Sequence, residues 1–200
     1  MQGCEGVSDG DAIPFSQFGH SFVTEIVTPE RIASTIAAVV GERVEVGPMA
    51  GGPANAARAT MRGELAGVDV EGLSGEGEGD GDGNVLRFLA TVRLDCTLAV
   101  KAPAINKRYR GTLTIPLRLA VRTAAPVRLV IDVEPPLAPD IGVELASKDR
   151  SGRLIQVLGN IDGEVRTRAA AEVARRVDAP DARRHRQIDI LAMVDDVWRP

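Results

Sequence analysis

Few residues in this sequence have the type and spacing that catalysis or metal binding requires. The two histidines, His20 and His185, lie far apart, and neither belongs to an H-E-x-x-H pattern or lies near a cysteine pair, so a zinc site has no spacing support. Cys96 alternates with aliphatic residues, which is typical of a small buried hydrophobe rather than of a nucleophile. The stretch Gly72-Leu73-Ser74-Gly75 lacks the final glycine of a nucleophile elbow. We therefore expect no metal, no cofactor and no catalytic group.

A glycine-rich tract at residues 75 to 83 is the other candidate for chemistry. Its intervening residues are all Glu or Asp, which would repel a phosphate group. Residues 80 to 84 match the first three ligand positions of a calcium loop, but Val85 stands where glycine belongs and Thr91 where the bidentate Glu belongs. We interpret the tract as a flexible, acidic hairpin tip.

The composition restricts the function further. Aromatic residues make up only 3% of the chain, so the core must be aliphatic, and stacking on bases or sugars is disfavoured. We expect no nucleic-acid partner. The sequence has only two cysteines, no run of 18 apolar residues and no basic segment followed by an apolar one at its start, which together indicate a cytoplasmic protein.

The net charge of -4 hides two oppositely charged segments. Residues 64 to 84 hold seven acids and no Lys or Arg, and residues 101 to 128 hold seven basic residues and no acid. An acid-free basic segment can mark an anionic partner such as a lipid headgroup, although it can also be the solvated face of a strand. The residues that we expect to attract such a headgroup lie at the tip of a long hairpin: Lys101, Lys107, Arg108 and Arg110.

Two helices are predicted toward the two ends of the chain. Thr28 is a good N-cap, Pro29 suits the first helical position, and Gly41 can end a helix whose apolar stripe contains Ile32, Ile36 and Val39. The second helix is capped by Asn160 and ends before Pro180, with an apolar residue at every fourth position. Its stripe is Ile161, Val165, Ala169, Val173 and Val177. Residues 181 to 198 favour a short helix, but Ile188-Asp189-Ile190 could equally begin a strand.

Strands are predicted between these helices and also before the first one. Residues 88 to 101 and 113 to 121 alternate strictly, and with a turn at 104 to 107 they form a long hairpin with one apolar side. A strand at 56 to 71 changes phase near its glycines, which is typical of a β-bulge. Shorter strands are expected at 15 to 27, 127 to 133, 141 to 145 and 154 to 158, and a loop is expected at 47 to 53.

These elements predict an α+β fold with a long, curved antiparallel β-sheet wrapped around one or two amphipathic helices. Residues 1 to 14 are expected to be a disordered tail, and residues 15 to 200 a single domain. A sheet that wraps a helix leaves an elongated aliphatic groove between them. Such a groove suits acyl chains, because apolar burial needs no exact polar partners.

The order of elements resembles the TULIP-type, or tubular lipid-binding, domains. The resemblance covers residues 18 to 178 and is carried by the segment TPERIASTIAAVVGERVEV, the alternating hairpins and the segment GNIDGEVRTRAAAEVARRV. It implies a highly curved sheet around a long helix and a lipid-binding groove. The helix-grip fold of START-like and polyketide-cyclase-like proteins is a second resemblance, and it too implies an apolar ligand inside.

We therefore predict non-enzymatic binding or carriage of a lipid or other hydrophobic small molecule, together with peripheral contact with a membrane. The expected ligand-binding residues are Ile32, Ile36, Val39, Leu94, Leu98, Leu117, Leu119, Val165 and Val173. Two alternatives stay open. One is a helix-grip enzyme acting on a hydrophobic substrate with His20 as base, and the other is a scaffold whose groove is filled by its own side chains.

Overall fold

The computed structural model describes residues 12–41, 43–51, 57–73, 85–102, 105–146 and 152–198. Over these ranges the chain forms the α+β fold with a curved antiparallel sheet that the sequence predicts. The acidic tract at 75 to 83, with its candidate calcium ligands, lies outside the described residues, as does most of the expected N-terminal tail.

A long hairpin forms the centre of the sheet. Strand β3 (Val85–Ala102) pairs with β4 (Ile105–Ala124) in one unbroken register from Val85↔Arg122 to Ala102↔Ile105. At about 3.3 Å per residue the 18 residues of β3 extend to roughly 60 Å, and strands of that length coil strongly. The predicted turn at 104 to 107 is wrong in part, because β4 already begins at Ile105 and its pairing continues to the end of β3.

On one side of the hairpin lie β2 (Ala57–Gly72) and β1 (Arg43–Gly51), both antiparallel to their neighbours. The phase change predicted in the second strand is confirmed, because its register with β3 shifts between Leu65 and Gly67. The loop predicted at 47 to 53 is wrong for residues 47 to 51, which are part of β1. The register of β1 with β2 shifts between Val46 and Met49, and Gly47, which lies between them, has a φ of +132°.

The other edge of β4 is shared by two short strands placed end to end. Strand β5 (Arg128–Glu134) pairs with residues 118 to 124 of β4, and β6 (Gly142–Ala146) pairs with residues 110 to 114. Strand β7 (Gln187–Asp189) then pairs with β5. The full order across the sheet is β1-β2-β3-β4-β5-β7, with β6 beside β4.

Five helices complete the described fold. The capped helix is confirmed as α2 (Pro29–Val40), where the Thr28 hydroxyl accepts a hydrogen bond of 3.4 Å from the Arg31 N–H and Gly41 follows with φ of +72°. Helix α3 (Gly152–Val177) is followed by α4 (Pro180–His185) and, after β7, by α5 (Ile190–Trp198). The sequence of residues 181 to 198 is compatible with either a short helix or a strand, and the structure contains both, as α5 and β7.

Two predicted strands are helices in the structure. Residues 15 to 26 form α1 (Phe15–Ile26), since Phe15, Phe18, Phe22 and Ile26 recur at helical spacing despite their high strand propensity. Residues 154 to 158 lie in α3, which begins at Gly152 rather than near Asn160. A short apolar run of this kind fits a buried strand and a helix equally well, so its pattern alone could not decide.

The buried face of the sheet is the one that alternation predicts. Every even-numbered residue of β3 from Phe88 to Val100 is buried, and so are the facing odd-numbered residues of β4 from Leu113 to Val121. Ile32 of α2 and Val165 and Ala169 of α3 belong to the same core. The helices therefore cover the concave, apolar face of the sheet.

Candidate functional site

A cavity of about 680 Å³ lies between the helices and the buried face of the sheet. It reaches from Val44 and Val46 of β1 to the inward-facing residues of β5, and helices α2 and α3 lie over it. Its volume is within the range of about 300–1,000 Å³ that small-molecule pockets occupy. Exposed lining residues, Val39, Met193 and Val194, show that it reaches the surface.

The lining is aliphatic because the strands contribute only one of their two faces. From β4 come Leu113, Ile115, Leu117 and Leu119, and from β5 come Leu129, Ile131 and Val133, all of them odd-numbered residues. Alternation therefore lines the cavity with Val, Leu and Ile, while the charged residues of β5 and of residues 113 to 121 of β4 lie on the opposite face.

Seven of the nine residues predicted to bind an apolar ligand line this cavity: Ile32, Ile36, Val39, Leu94, Leu117, Leu119 and Val173. The remaining two, Leu98 and Val165, are buried core residues that do not contribute to its lining. Leu98 lies further along β3, where the concave face is filled by side chains such as Tyr109. The concave face thus has a packed half and a half that encloses the cavity.

The four basic residues predicted to attract a headgroup do not line the cavity. They are exposed near the end of the β3–β4 hairpin, and Lys101 faces Asn106 in its register. Lys101, Arg108 and Arg110 lie on the outer face of the sheet by the alternation of buried residues, whereas Lys107 has the parity of the concave face. Their interaction with an anionic headgroup stays a prediction.

Sequence reasoning missed the polar residues of the cavity. Among the described residues these are Arg31 and Thr35 of α2, Arg176 of α3, and Arg186, which follows α4. Arg176 lies outside the predicted apolar stripe of its helix, and Arg186 belongs to a basic stretch at residues 183 to 186. No pattern in the sequence predicts that residues 187 to 189 pair with β5, and this pairing is what brings Arg186 to the cavity.

Arg176 is held by partners on two helices. Its Nε donates to Oε1 of Glu172 at 2.8 Å, and its Nη1 donates to the main-chain carbonyl of Val40 at 2.6 Å. Glu172 also accepts hydrogen bonds from Arg175. The hydrogen bonds from Arg175, together with those from Arg176 and the charges of both, lower the pKa of Glu172 to about 2 against partial burial. Arg176 therefore has a carboxylate partner within the protein, which it shares with Arg175.

Arg186 differs from Arg176 in this respect. Its main chain is anchored at β5, because the Ile131 N–H donates to the Arg186 carbonyl at 2.8 Å. Its side-chain Nε is buried, and within the described part of the chain it has no hydrogen-bond partner. Since Arg remains protonated in proteins, Arg186 brings to the cavity lining a positive charge whose buried Nε has no partner among those residues.

The two residues that could suggest catalysis lie elsewhere. His20 is an exposed residue of α1 and lines a separate surface cavity with Phe15 and Thr123. Cys96 is buried on β3, where desolvation raises the pKa of its thiol to about 11. Its interpretation as a small buried hydrophobe is confirmed. Among the described residues there is no cluster of three or more His, Cys, Asp or Glu side chains that could hold a metal ion.

The sequence was compared with protein-family models and with curated proteins, and neither comparison found a match. Across the described ranges, none of the helices combines the length and the hydropathy that crossing a bilayer requires.

Proposed function

We propose that this protein binds a lipid or another hydrophobic small molecule in the cavity between its helices and its sheet, without catalysing a reaction. The observation that carries the proposal is the aliphatic lining of a cavity of about 680 Å³ between the helices and the buried face of the sheet. Well-packed interiors contain few voids larger than a water molecule, so a space of this size is characteristic of a binding site.

The energetics favour a chain-like ligand. Burial of one methylene group contributes about 0.8 kcal/mol, so a twelve-carbon chain gains on the order of 10 kcal/mol before the cost of association is subtracted. A lining of Val, Leu and Ile supplies this burial along its whole length without requiring directional contacts. The TULIP-type resemblance, which implies a lipid-binding groove, supports the same proposal.

The helix-grip enzyme alternative receives no comparable support. Its proposed base, His20, lies on α1 and lines a different cavity from the aliphatic one. A general base must come within hydrogen-bonding distance of the proton that it removes. His20 does not line the aliphatic cavity, so a ligand bound there would not contact it.

The proposal is tested with a neutral ligand, so that chain burial is measured alone. Delipidated protein is titrated with 1-dodecanol by isothermal calorimetry, and binding stoichiometry is checked by native mass spectrometry. Val133 lines the cavity, and Val130 lies on the same strand but on its outer face, so Val133→Phe and Val130→Phe form a matched pair. We expect saturable 1:1 binding that Val133→Phe weakens at least tenfold and that Val130→Phe leaves within twofold.

Two results would contradict the proposal. The first is absence of dodecanol binding by a folded, delipidated protein, which would favour a scaffold that fills its groove with its own side chains. The second is equal loss of binding in Val133→Phe and Val130→Phe, which would place the ligand away from the cavity. Circular dichroism of both variants establishes that each is folded before the titrations are compared.

A further inference from the structure

The charged residues in the lining of the aliphatic cavity are all arginines among the described residues. Apart from the Thr35 hydroxyl, the described polar residues of its lining are three arginines, and no Asp or Glu is among the described lining residues. Arg176 is paired with Glu172, and Arg31 is exposed and donates a 3.1 Å hydrogen bond to the Ile26 carbonyl. Arg186 alone of the three has a buried side-chain nitrogen without a partner within the described residues.

We propose that Arg186 binds the anionic headgroup of a single-chain amphiphile whose hydrocarbon chain occupies the cavity. This inference rests on the proposed function and adds to it the chemical class of the ligand and the residue that selects it. The planar guanidinium group can donate two parallel hydrogen bonds to a carboxylate or a phosphate, which share this geometry. An anionic headgroup would compensate a charge that the described protein groups leave uncompensated.

The position of Arg186 determines which end of the cavity would hold the headgroup. The main-chain hydrogen bond between Ile131 and Arg186 places the residue beside β5, whereas Val44 and Val46 line the cavity on β1. Four inter-strand spacings separate β1 from β5 in the sheet order, which is about 19 Å at roughly 4.8 Å each. The headgroup therefore lies at the β5 side, and the chain extends across the concave face toward β1.

The size of the cavity limits the ligand to one chain. A methylene group has about the volume of one water molecule in the liquid, ~30 Å³, so 680 Å³ corresponds to about twenty such groups. One long acyl chain fits this volume, and the two chains of a membrane phospholipid exceed it. We therefore expect a fatty acid or a monoalkyl phosphate rather than a diacyl lipid.

The test compares ligands that differ only in their headgroup. Affinities for dodecanoate, dodecyl phosphate and 1-dodecanol are measured at pH 7.5 by calorimetry, below the micelle-forming concentration of each ligand. The variant Arg186→Met removes the charge and keeps most of the apolar stem. Arg184→Met is the matched control, since Arg184 is an exposed residue of α4, two positions before Arg186, that pairs with Asp181 and does not line the cavity.

We expect at least one anionic ligand to bind the native protein ten times or more tightly than dodecanol does. Arg186→Met should abolish this preference, lowering the affinity for the preferred anion at least tenfold relative to the affinity for dodecanol, while Arg184→Met should retain it. Preference for the carboxylate identifies a fatty acid, and preference for the phosphate identifies a monoalkyl phosphate. Either result supports the proposal.

The headgroup proposal is overturned if dodecanol and both anions bind equally, or if Arg186→Met weakens all three ligands alike. Those results would leave chain binding in the cavity intact. Absence of binding by all three ligands, in contrast, would refute the proposed function itself. Thermal unfolding of ligand-free Arg186→Met provides a further check: its midpoint should equal or exceed that of the native protein, since the substitution removes an unpartnered buried group.

Discussion

The guanidinium group of Arg176 donates a hydrogen bond of 2.6 Å to the main-chain carbonyl of Val40, the last residue of α2. The two residues are 136 positions apart in sequence, and the bond joins the C-terminal ends of the two helices that lie over the cavity. A cation at a helix C-terminus also interacts favourably with the helix dipole. Arg176 therefore fixes α2 and α3 relative to each other.

Substitution of Arg176 should destabilise this junction. We expect Arg176→Met to lower the free energy of unfolding by about 1–3 kcal/mol, because it removes a charged hydrogen bond and leaves the Val40 carbonyl without that donor. Arg175→Met is the matched control, since Arg175 binds the same Glu172 but has no hydrogen bond to α2 among the described residues, and it should remain close to the native protein. Urea denaturation measures both. Equal effects would show that Glu172 pairing, not the bond to Val40, is the stabilising contact.

The contribution of Glu172 should depend on pH in a defined direction. Its pKa in the folded protein is lowered to about 2 from an ordinary value of 4.5, so folding favours the ionised carboxylate. The resulting stability is fully present above pH 4.5 and is lost as the pH falls from about 4.5 to about 2. The difference in unfolding free energy between native protein and Glu172→Gln should therefore be constant from pH 6 to 8 and shrink in this acidic interval. A difference that grew on acidification would contradict the assignment.

Local signals account for the elements that sequence analysis predicted correctly. Helix α2 carries its start and stop signals in its own residues, Thr28 and Gly41, and the β3–β4 hairpin carries its buried face in strict alternation. Such signals require no knowledge of the rest of the chain. For the same reason the aliphatic lining from β3, β4 and α2 could be named from the sequence, with Leu94, Leu117 and Ile36 as examples.

The extent of the cavity and the placement of Arg186 could not be predicted from the sequence, because both depend on tertiary contacts. Leu98 has the same parity as Leu94, but only the fold determines which part of the concave face is packed and which encloses space. Arg186 becomes a cavity residue because the segment after α4 pairs with β5, and that pairing depends on a three-residue strand with no distinctive pattern. Both facts arise from contacts between residues distant in sequence.

Gly111 occupies a position in β4 that admits no side chain. A Cβ atom added there would overlap the main-chain carbonyl oxygen of Glu144 in β6 and approach Cδ2 of Leu145 to 2.8 Å. Gly111→Ala should therefore displace β6 and lower the unfolding free energy by about 1–3 kcal/mol. Gly163→Ala is the control, because a Cβ at this helical position meets nothing within 4 Å and should stabilise α3 by roughly 0.5–1 kcal/mol. Thermal unfolding should show midpoints shifted in opposite directions.

The basic end of the β3–β4 hairpin is proposed to contact an anionic membrane surface. Lys101, Arg108 and Arg110 are exposed there and have no ion-pair partner within the described chain. By contrast, Arg43 and Arg62 on β1 and β2 pair with acids across the strands. Unpaired exposed charges attract an anionic surface through a field that salt screens within about 10 Å at 0.1 M.

Two charge-reversal variants test this surface at equal net charge. We expect Arg108→Glu/Arg110→Glu to reduce sedimentation with vesicles of phosphatidylglycerol and phosphatidylcholine several-fold at low salt, and Arg43→Glu/Arg62→Glu to reduce it less. Vesicles of phosphatidylcholine alone should sediment neither the native protein nor the variants. An equal reduction in both variants would show that net charge, rather than the hairpin end, governs the interaction.

The thiol of Cys96 should be unreactive in the folded protein. The residue is only 5% exposed, it faces Gly63 across the β2–β3 register, and burial raises its pKa to about 11, so very little thiolate exists at pH 8. In a Cys4→Ser background, Cys96 is the single thiol, and we expect its labelling by an aromatic disulfide reagent to proceed only as fast as the protein opens. Addition of urea beyond the unfolding midpoint should raise the labelling rate by orders of magnitude. Stoichiometric labelling of native protein within seconds would instead show that β2 and β3 separate readily at this register position.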